Sequence, residues 1–130
     1  MTETLTRILY VEDDDSIAQV VMMALEELGG FTATHCDNGQ KALDTVVEFA
    51  PQLILMDVMM PRMSGPETLE NLKQIPQAKD IPVIFMTAKV QTHEKEAYRS
   101  LGAIGVIAKP FDPMALSEQI ISLWQDTNAA

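Results

Sequence analysis

The chain has 130 residues, 47% of them hydrophobic and 22% charged, with a single cysteine. This length and make-up suit one globular domain and exclude disordered, collagen-like and disulfide-scaffold classes. A formal charge of −10 repels phosphate backbones and argues against direct nucleic-acid binding, and every apolar run is broken by Asp, Glu or Pro before it reaches membrane-spanning length. Met1-Thr2-Glu3-Thr4 lacks the basic start and apolar run of a signal peptide, and the lone Cys36 has no internal partner. A cytoplasmic location with no membrane contact is expected.

Short apolar runs alternate along the chain with longer amphipathic ones. Ile8-Leu9-Tyr10-Val11 predicts a buried strand that stops at the acidic run Glu12-Asp13-Asp14-Asp15. Ile17, Val20, Val21, Ala24, Leu25 and Leu28 then recur on one helical face, closed by Gly29-Gly30. Phe31 to Cys36 predicts a more polar strand, suited to an edge, and Ala42, Leu43, Val46, Val47 and Ala50 predict a helix that Pro51 stops. Leu53 to Met56 predicts a third strand ending at Asp57. Leu69 and Leu72 predict a third helix, to which Met63 is also assigned.

Pro82 to Met86 predicts a fourth strand ending at Thr87. Gln91 to Leu101 predicts a helix with a weak apolar face, carried by Ala97, Tyr98 and Leu101. Val106-Ile107-Ala108 predicts a short strand ending at Lys109. Asp112-Pro113 opens a last helix, with Asp as N-cap and Pro at the first helical position.

Five strand–helix units of this kind predict an α/β, flavodoxin-like, doubly wound parallel sheet of order 2-1-3-4-5 with five helices. Ligands in such sheets bind beyond the carboxyl ends of the strands, where strand order reverses. The residues placed there are Glu12, Asp13, Asp57, Thr87 and Lys109. Three carboxylates repel one another, and one lysine does not neutralise them. An all-oxygen donor set of this charge suits Mg2+ or Mn2+. Asp57, between the other strand ends, is the best-placed nucleophile toward phosphorus. Lys109 and the Thr87 hydroxyl can then meet the phosphoryl oxygens.

These residues carry a resemblance to a family. The chain resembles the receiver domains of two-component response regulators, in form the single-domain chemotaxis type. The matching stretches are Ile8-Leu9-Tyr10-Val11-Glu12-Asp13-Asp14, Leu55-Met56-Asp57-Val58-Met59-Met60-Pro61 and Met63-Ser64-Gly65. Further along come Val83-Ile84-Phe85-Met86-Thr87-Ala88, Gly102-Ala103 and Ala108-Lys109-Pro110-Phe111. The resemblance covers about residues 7–125 and leaves too few residues at 126–130 for an output domain, so a single receiver domain over 1–130 is expected.

The resemblance implies that Asp57 is the phosphoacceptor and that Glu12 and Asp13 hold Mg2+, with Asp57 and the Met59 backbone carbonyl as further ligands. It implies that Thr87 is the switch hydroxyl, with Lys109 and Ala88 beside the phosphoryl group, and that the Lys109-Pro110 bond is cis. The phosphoryl donor it implies is a histidine kinase or a histidine phosphotransfer protein. The protein would catalyse only its own phosphorylation and dephosphorylation, and an unidentified downstream protein would read the outcome. A homodimer formed on phosphorylation through the fourth-helix face is one further route left open.

One position departs from the pattern. Many receivers carry an aromatic residue or His three residues before the lysine, and this chain has Val106. Tyr98 is a candidate substitute, and Tyr98, Leu101 and Val106 form a candidate partner surface. Met59 and Lys89 are expected to tune the rate of self-hydrolysis. His35 and Cys36 are expected to be ordinary strand residues.

Two other classes compete with this reading. An Asp-nucleophile phosphatase on a related fold would want a second Asp two residues after Asp57, where the chain has Met59. A flavodoxin-like carrier would want a hydroxyl-rich phosphate loop after the first strand, where the chain has four acids.

Overall fold

The computed structural model describes residues 4–88 and 91–128. Five parallel strands form one sheet in the order β2-β1-β3-β4-β5, namely β1 (Arg7–Val11), β2 (Thr32–Cys36), β3 (Leu53–Asp57), β4 (Val83–Thr87) and β5 (Gly105–Ala108). The helices are α1 (Asp15–Met23), α2 (Gly39–Phe49), α3 (Gly65–Leu72), α4 (Thr92–Ser100) and α5 (Pro113–Asn128). The three inner strands are apolar along their length because helices cover both sides of the sheet.

Side chains alternate between the two faces of each strand, and two cores result. Ile8, Tyr10, Leu55, Ile84 and Ile107 face α1 and α5, where Val21, Leu116, Ile120 and Trp124 meet them. Leu9, Val11, Ile54, Met56 and Phe85 face the other way, onto Ala42, Val46, Leu69 and Leu72. Each fully buried aliphatic or aromatic side chain stabilises the fold by about 1.5–3 kcal/mol. β2 pairs with β1 alone and carries only one buried residue, so its polar sequence is that of an edge.

Helix starts follow the side chains available to cap them. Asp14 accepts a hydrogen bond from the Ile17 N–H, and Asn38 accepts one from Lys41. Ser64 and Glu67 form a reciprocal capping box at the start of α3. Asp112 accepts from the Met114 N–H at 2.9 Å, as expected for an Asp-Pro helix start. Met63 lies before α3, not within it, because Ser64 is the cap.

The first helix also departs from its expected form. Its even spacing predicts a regular α-helix through Leu28, yet Ala24–Leu28 is π-helical and the Gly29 N–H reaches back to the Ala24 carbonyl at 2.9 Å. A wider turn rotates the chain less per residue. Leu28 therefore falls into line with exposed Val20 instead of buried Val21, and is 48% exposed.

Gly65 brings α3 close to the end of β3. Its N–H donates to the Val58 carbonyl at 2.9 Å, and a Cβ there would lie 2.5 Å from the Asp57 carbonyl oxygen. Gly65→Ala is expected to cost about 1–3 kcal/mol in denaturant unfolding through forced backbone movement. An unchanged midpoint would mean that the strand end yields freely.

Candidate functional site

Hydrogen bonds between neighbouring strand ends fix the upper rim of the sheet. The Glu12 N–H donates to Cys36 O at 3.0 Å, the Val58 N–H to Met86 O at 3.1 Å and the Lys109 N–H to Thr87 O at 2.9 Å. Parallel pairing with β1, β3, β4 and β5 adjacent brings their last residues together, although these lie far apart in sequence.

Glu12, Asp13 and Asp57 each present a carboxylate oxygen, and these atoms lie within 4.8 Å of one another. Glu12 is 1% exposed and Asp57 is 5% exposed, whereas Asp13 opens to solvent. Lys109 bridges the two buried acids, its Nζ 2.5 Å from Asp57 Oδ1 and 3.1 Å from Glu12 Oε1. The second Glu12 oxygen accepts from the Asp14 N–H at 3.3 Å.

Burial pushes the Asp57 carboxyl above the usual carboxylate range, and Lys109 offsets only part of that push. Glu12 is raised by burial and by the Asp57 charge, again partly offset by Lys109. Burial works against the charged Lys109, but its bonds to Asp57 and Glu12 prevail and raise it above its ordinary value. One ammonium against three carboxylates leaves an excess of negative charge. The all-oxygen donor set and that excess fit a hard divalent cation.

The other expected site residues occupy the same rim or its borders. Thr87 ends β4, is 3% exposed and pairs in register with Ala108. Ala88 follows it and is exposed. Met59 sits in the loop after β3, 69% exposed. The Lys109-Pro110 bond is cis, as expected. An apolar cleft of about 340 Å3 lined by Ile17, Ala88, Lys109, Pro110 and Phe111 adjoins the rim. Lys89, expected to act with Met59, lies outside the described residues.

Tyr98, Leu101 and Val106 lie to one side of the rim. α4 has no buried residue; Tyr98 anchors it, half-buried, with its ring edge-on to Phe85 at 5.3 Å between centroids. Val106 pairs in register with the same Phe85, and Leu101 is exposed at the end of α4. Val106 also lines a groove of about 500 Å3 with Ile107, Glu118, Gln119, Ser122 and Leu123.

Two residues that the sequence reading passed over act on Glu12. Tyr10 lies on the same sheet face two residues earlier, and its hydroxyl donates to Glu12 Oε1 at 3.4 Å. Burial, then Glu12 and Asp57, push the Tyr10 phenol above its ordinary value and keep it a donor. His35 was expected to be an ordinary strand residue, but its Nε2 donates to the Glu12 carbonyl at 2.8 Å. The two-residue alternation of β1 was the available signal for Tyr10.

The fold and rim together define a doubly wound α/β protein with an acidic, lysine-bridged pocket at its strand ends. The family model for the response regulator receiver domain matches residues 8–121, and the chain belongs to that family. Among curated proteins it is 35% identical over 120 residues to the phosphate regulon transcriptional regulatory protein PhoB of Pseudomonas aeruginosa, covering 92% of this chain and 52% of that protein. The chain thus spans about half the length of the curated relatives it matches.

Among solved structures it is similar to the chemotaxis protein CheY4 of Vibrio cholerae, with a TM-score of 0.84 and 28% identity, covering 92% of this chain and 99% of that one. A response regulator from Desulfuromonas acetoxidans matches with a TM-score of 0.82 and 30% identity, covering 92% and 97%.

Proposed function

We propose that this protein is the phosphoacceptor switch of a two-component phosphorelay and that Asp57 takes the phosphoryl group. The observation that carries the reading is the Lys109 ammonium bridging Asp57 and Glu12 inside an acidic pocket with Asp13. A structural ion pair would need one carboxylate; here the lysine bridges two, and a third lies beside them.

In the proposed reaction an Asp57 oxygen attacks the phosphorus of a phosphohistidine on a histidine kinase or phosphotransfer protein. The new O–P bond forms as the N–P bond breaks, and the imidazole leaves and takes up a proton. Lys109 turns from Asp57 and Glu12 to a phosphoryl oxygen. The Thr87 hydroxyl donates to another, and the Ala88 backbone borders the group. Glu12, Asp13, Asp57 and the Met59 carbonyl are the proposed ligands of Mg2+ or Mn2+, which would supply positive charge against the phosphoryl oxygens.

Met59 and Lys89 are proposed to set the lifetime of the acyl phosphate. The protein turns over no separate substrate and acts in the cytoplasm. Its output passes to a protein partner, or to a second copy, through the face of Tyr98, Leu101 and Val106. Among the described residues no helix is long and apolar enough to cross a membrane.

Two experiments test this reading. Incubation with acetyl phosphate and Mg2+ is expected to yield an acid-stable, base-labile adduct, and its absence would reject the reading. Thr87→Ala is expected to form that adduct more slowly than the native protein but to lose less than a Lys109 variant, because a neutral hydroxyl is a weaker donor to phosphoryl oxygens than an ammonium. Beryllofluoride is then expected to alter hydrogen exchange in α4 of the native protein but not of Thr87→Ala. Equal changes in both proteins would remove Thr87 from the switch.

A further inference from the structure

Glu12 is one methylene longer than an aspartate and has one more side-chain torsion to fix. It is also almost wholly buried, so water cannot hold its carboxylate. Three donors do so. The Asp14 N–H meets Oε2, while Lys109 Nζ and the Tyr10 hydroxyl share Oε1.

These donors are not equally permanent. Under the function proposed above, on which this inference rests, Lys109 leaves the carboxylates for a phosphoryl oxygen. Among the side-chain donors to Glu12 described above, the Tyr10 hydroxyl then remains. Tyr10 itself cannot wander, because its ring is fully buried among the residues between the sheet and α1 and α5, and lies 5.6 Å from the His35 ring. His35 in turn fixes the Glu12 main chain through its carbonyl.

We infer that Tyr10 is a positioning residue for cation binding: its hydroxyl holds the Glu12 carboxylate toward Asp13 and Asp57. Groups that orient a metal ligand contribute about 10–100-fold to metal affinity. The 3.4 Å contact is long, so the low end applies.

The test is calorimetric titration of Mg2+ into the native protein, Tyr10→Phe, Tyr10→Leu, Glu12→Asp and the double variant Tyr10→Phe/Glu12→Asp. Tyr10→Phe and Tyr10→Leu are both expected to raise the Kd about tenfold. They share only the lost hydroxyl, so a packing effect would separate them. An aspartate at position 12 draws the carboxylate back from Tyr10, and the Phe substitution is then expected to change the Kd less than about twofold, the signature of a coupled pair.

A Tyr10→Phe protein that binds Mg2+ as the native protein does, or an equal loss in both backgrounds, would overturn the inference and leave the proposed function standing. A native protein that binds no Mg2+ would overturn both.

Discussion

Asp57→Asn is expected to abolish phosphorylation and to stabilise the fold. An amide has no nucleophilic oxygen for phosphorus, so adduct formation from acetyl phosphate should fall at least about 100-fold, to background. Stability should move the other way. Burial holds the native carboxyl above its usual range, and Lys109 only partly compensates. A carboxyl raised in the folded protein favours folding while protonated and opposes it once ionised. The amide should therefore gain nothing below the ordinary carboxylate range, gain increasingly as pH rises from there through the raised value, and hold that gain above it. Thermal midpoints of both proteins across the acid range measure this. A lower midpoint for the variant at neutral pH would mean that Lys109 more than offsets the burial of Asp57.

Lys109→Met is expected to damage both chemistry and stability. Methionine keeps most of the length of the side chain but leaves Glu12 and Asp57 facing each other without the ammonium. Breaking one side of a buried pair costs about 3–5 kcal/mol. Lys109 is 20% exposed, and the two acids can take up a proton, so a loss of about 2 kcal/mol is expected. Its own raised value means that this contribution is present at neutral pH and disappears only at alkaline pH, above the ordinary lysine range.

Adduct formation should fall about 10²–10³-fold, as on removal of a donor aimed at developing charge. The pocket becomes more negative, so Mg2+ should raise the midpoint of the variant more than that of the native protein. A variant with native stability and native labelling would show that the bridge has no part in the reaction.

Much of this was legible along the chain because local and global patterns agree. The apolar runs of β1, β3 and β4 each stop at a polar residue, and that residue lies on the rim. Parallel strands all point the same way, so a residue that ends a run is placed without knowledge of loop geometry. Pro and Gly positions marked several helix boundaries for the same reason: they act through the backbone of their own neighbourhood.

The features that escaped depend on contacts across elements. The π-helical turn at Ala24–Leu28 follows a spacing that reads as an ordinary helix, and the bond from the Gly29 N–H to the Ala24 carbonyl and the exposure of Leu28 reveal the change of pitch. His35 sits on an edge strand of unremarkable composition. Its bond to Glu12 exists because β2 pairs with β1 in a register that sets His35 beside Tyr10. The weak apolar face of α4 was visible, but not that Tyr98 would set its ring edge-on against Phe85.

The rim is proposed to make Asp57 the acceptor of a phosphoryl group. The most direct measurement is to phosphorylate the native protein with acetyl phosphate and Mg2+, reduce the acyl phosphate with borohydride, and map the modified peptide by mass spectrometry. The expected result is an intact-mass gain of about 80 Da before reduction, one phosphoryl group, with the reduced residue at position 57 and nowhere else. Modification at another carboxylate, or no mass gain under conditions in which the protein binds Mg2+, would contradict it.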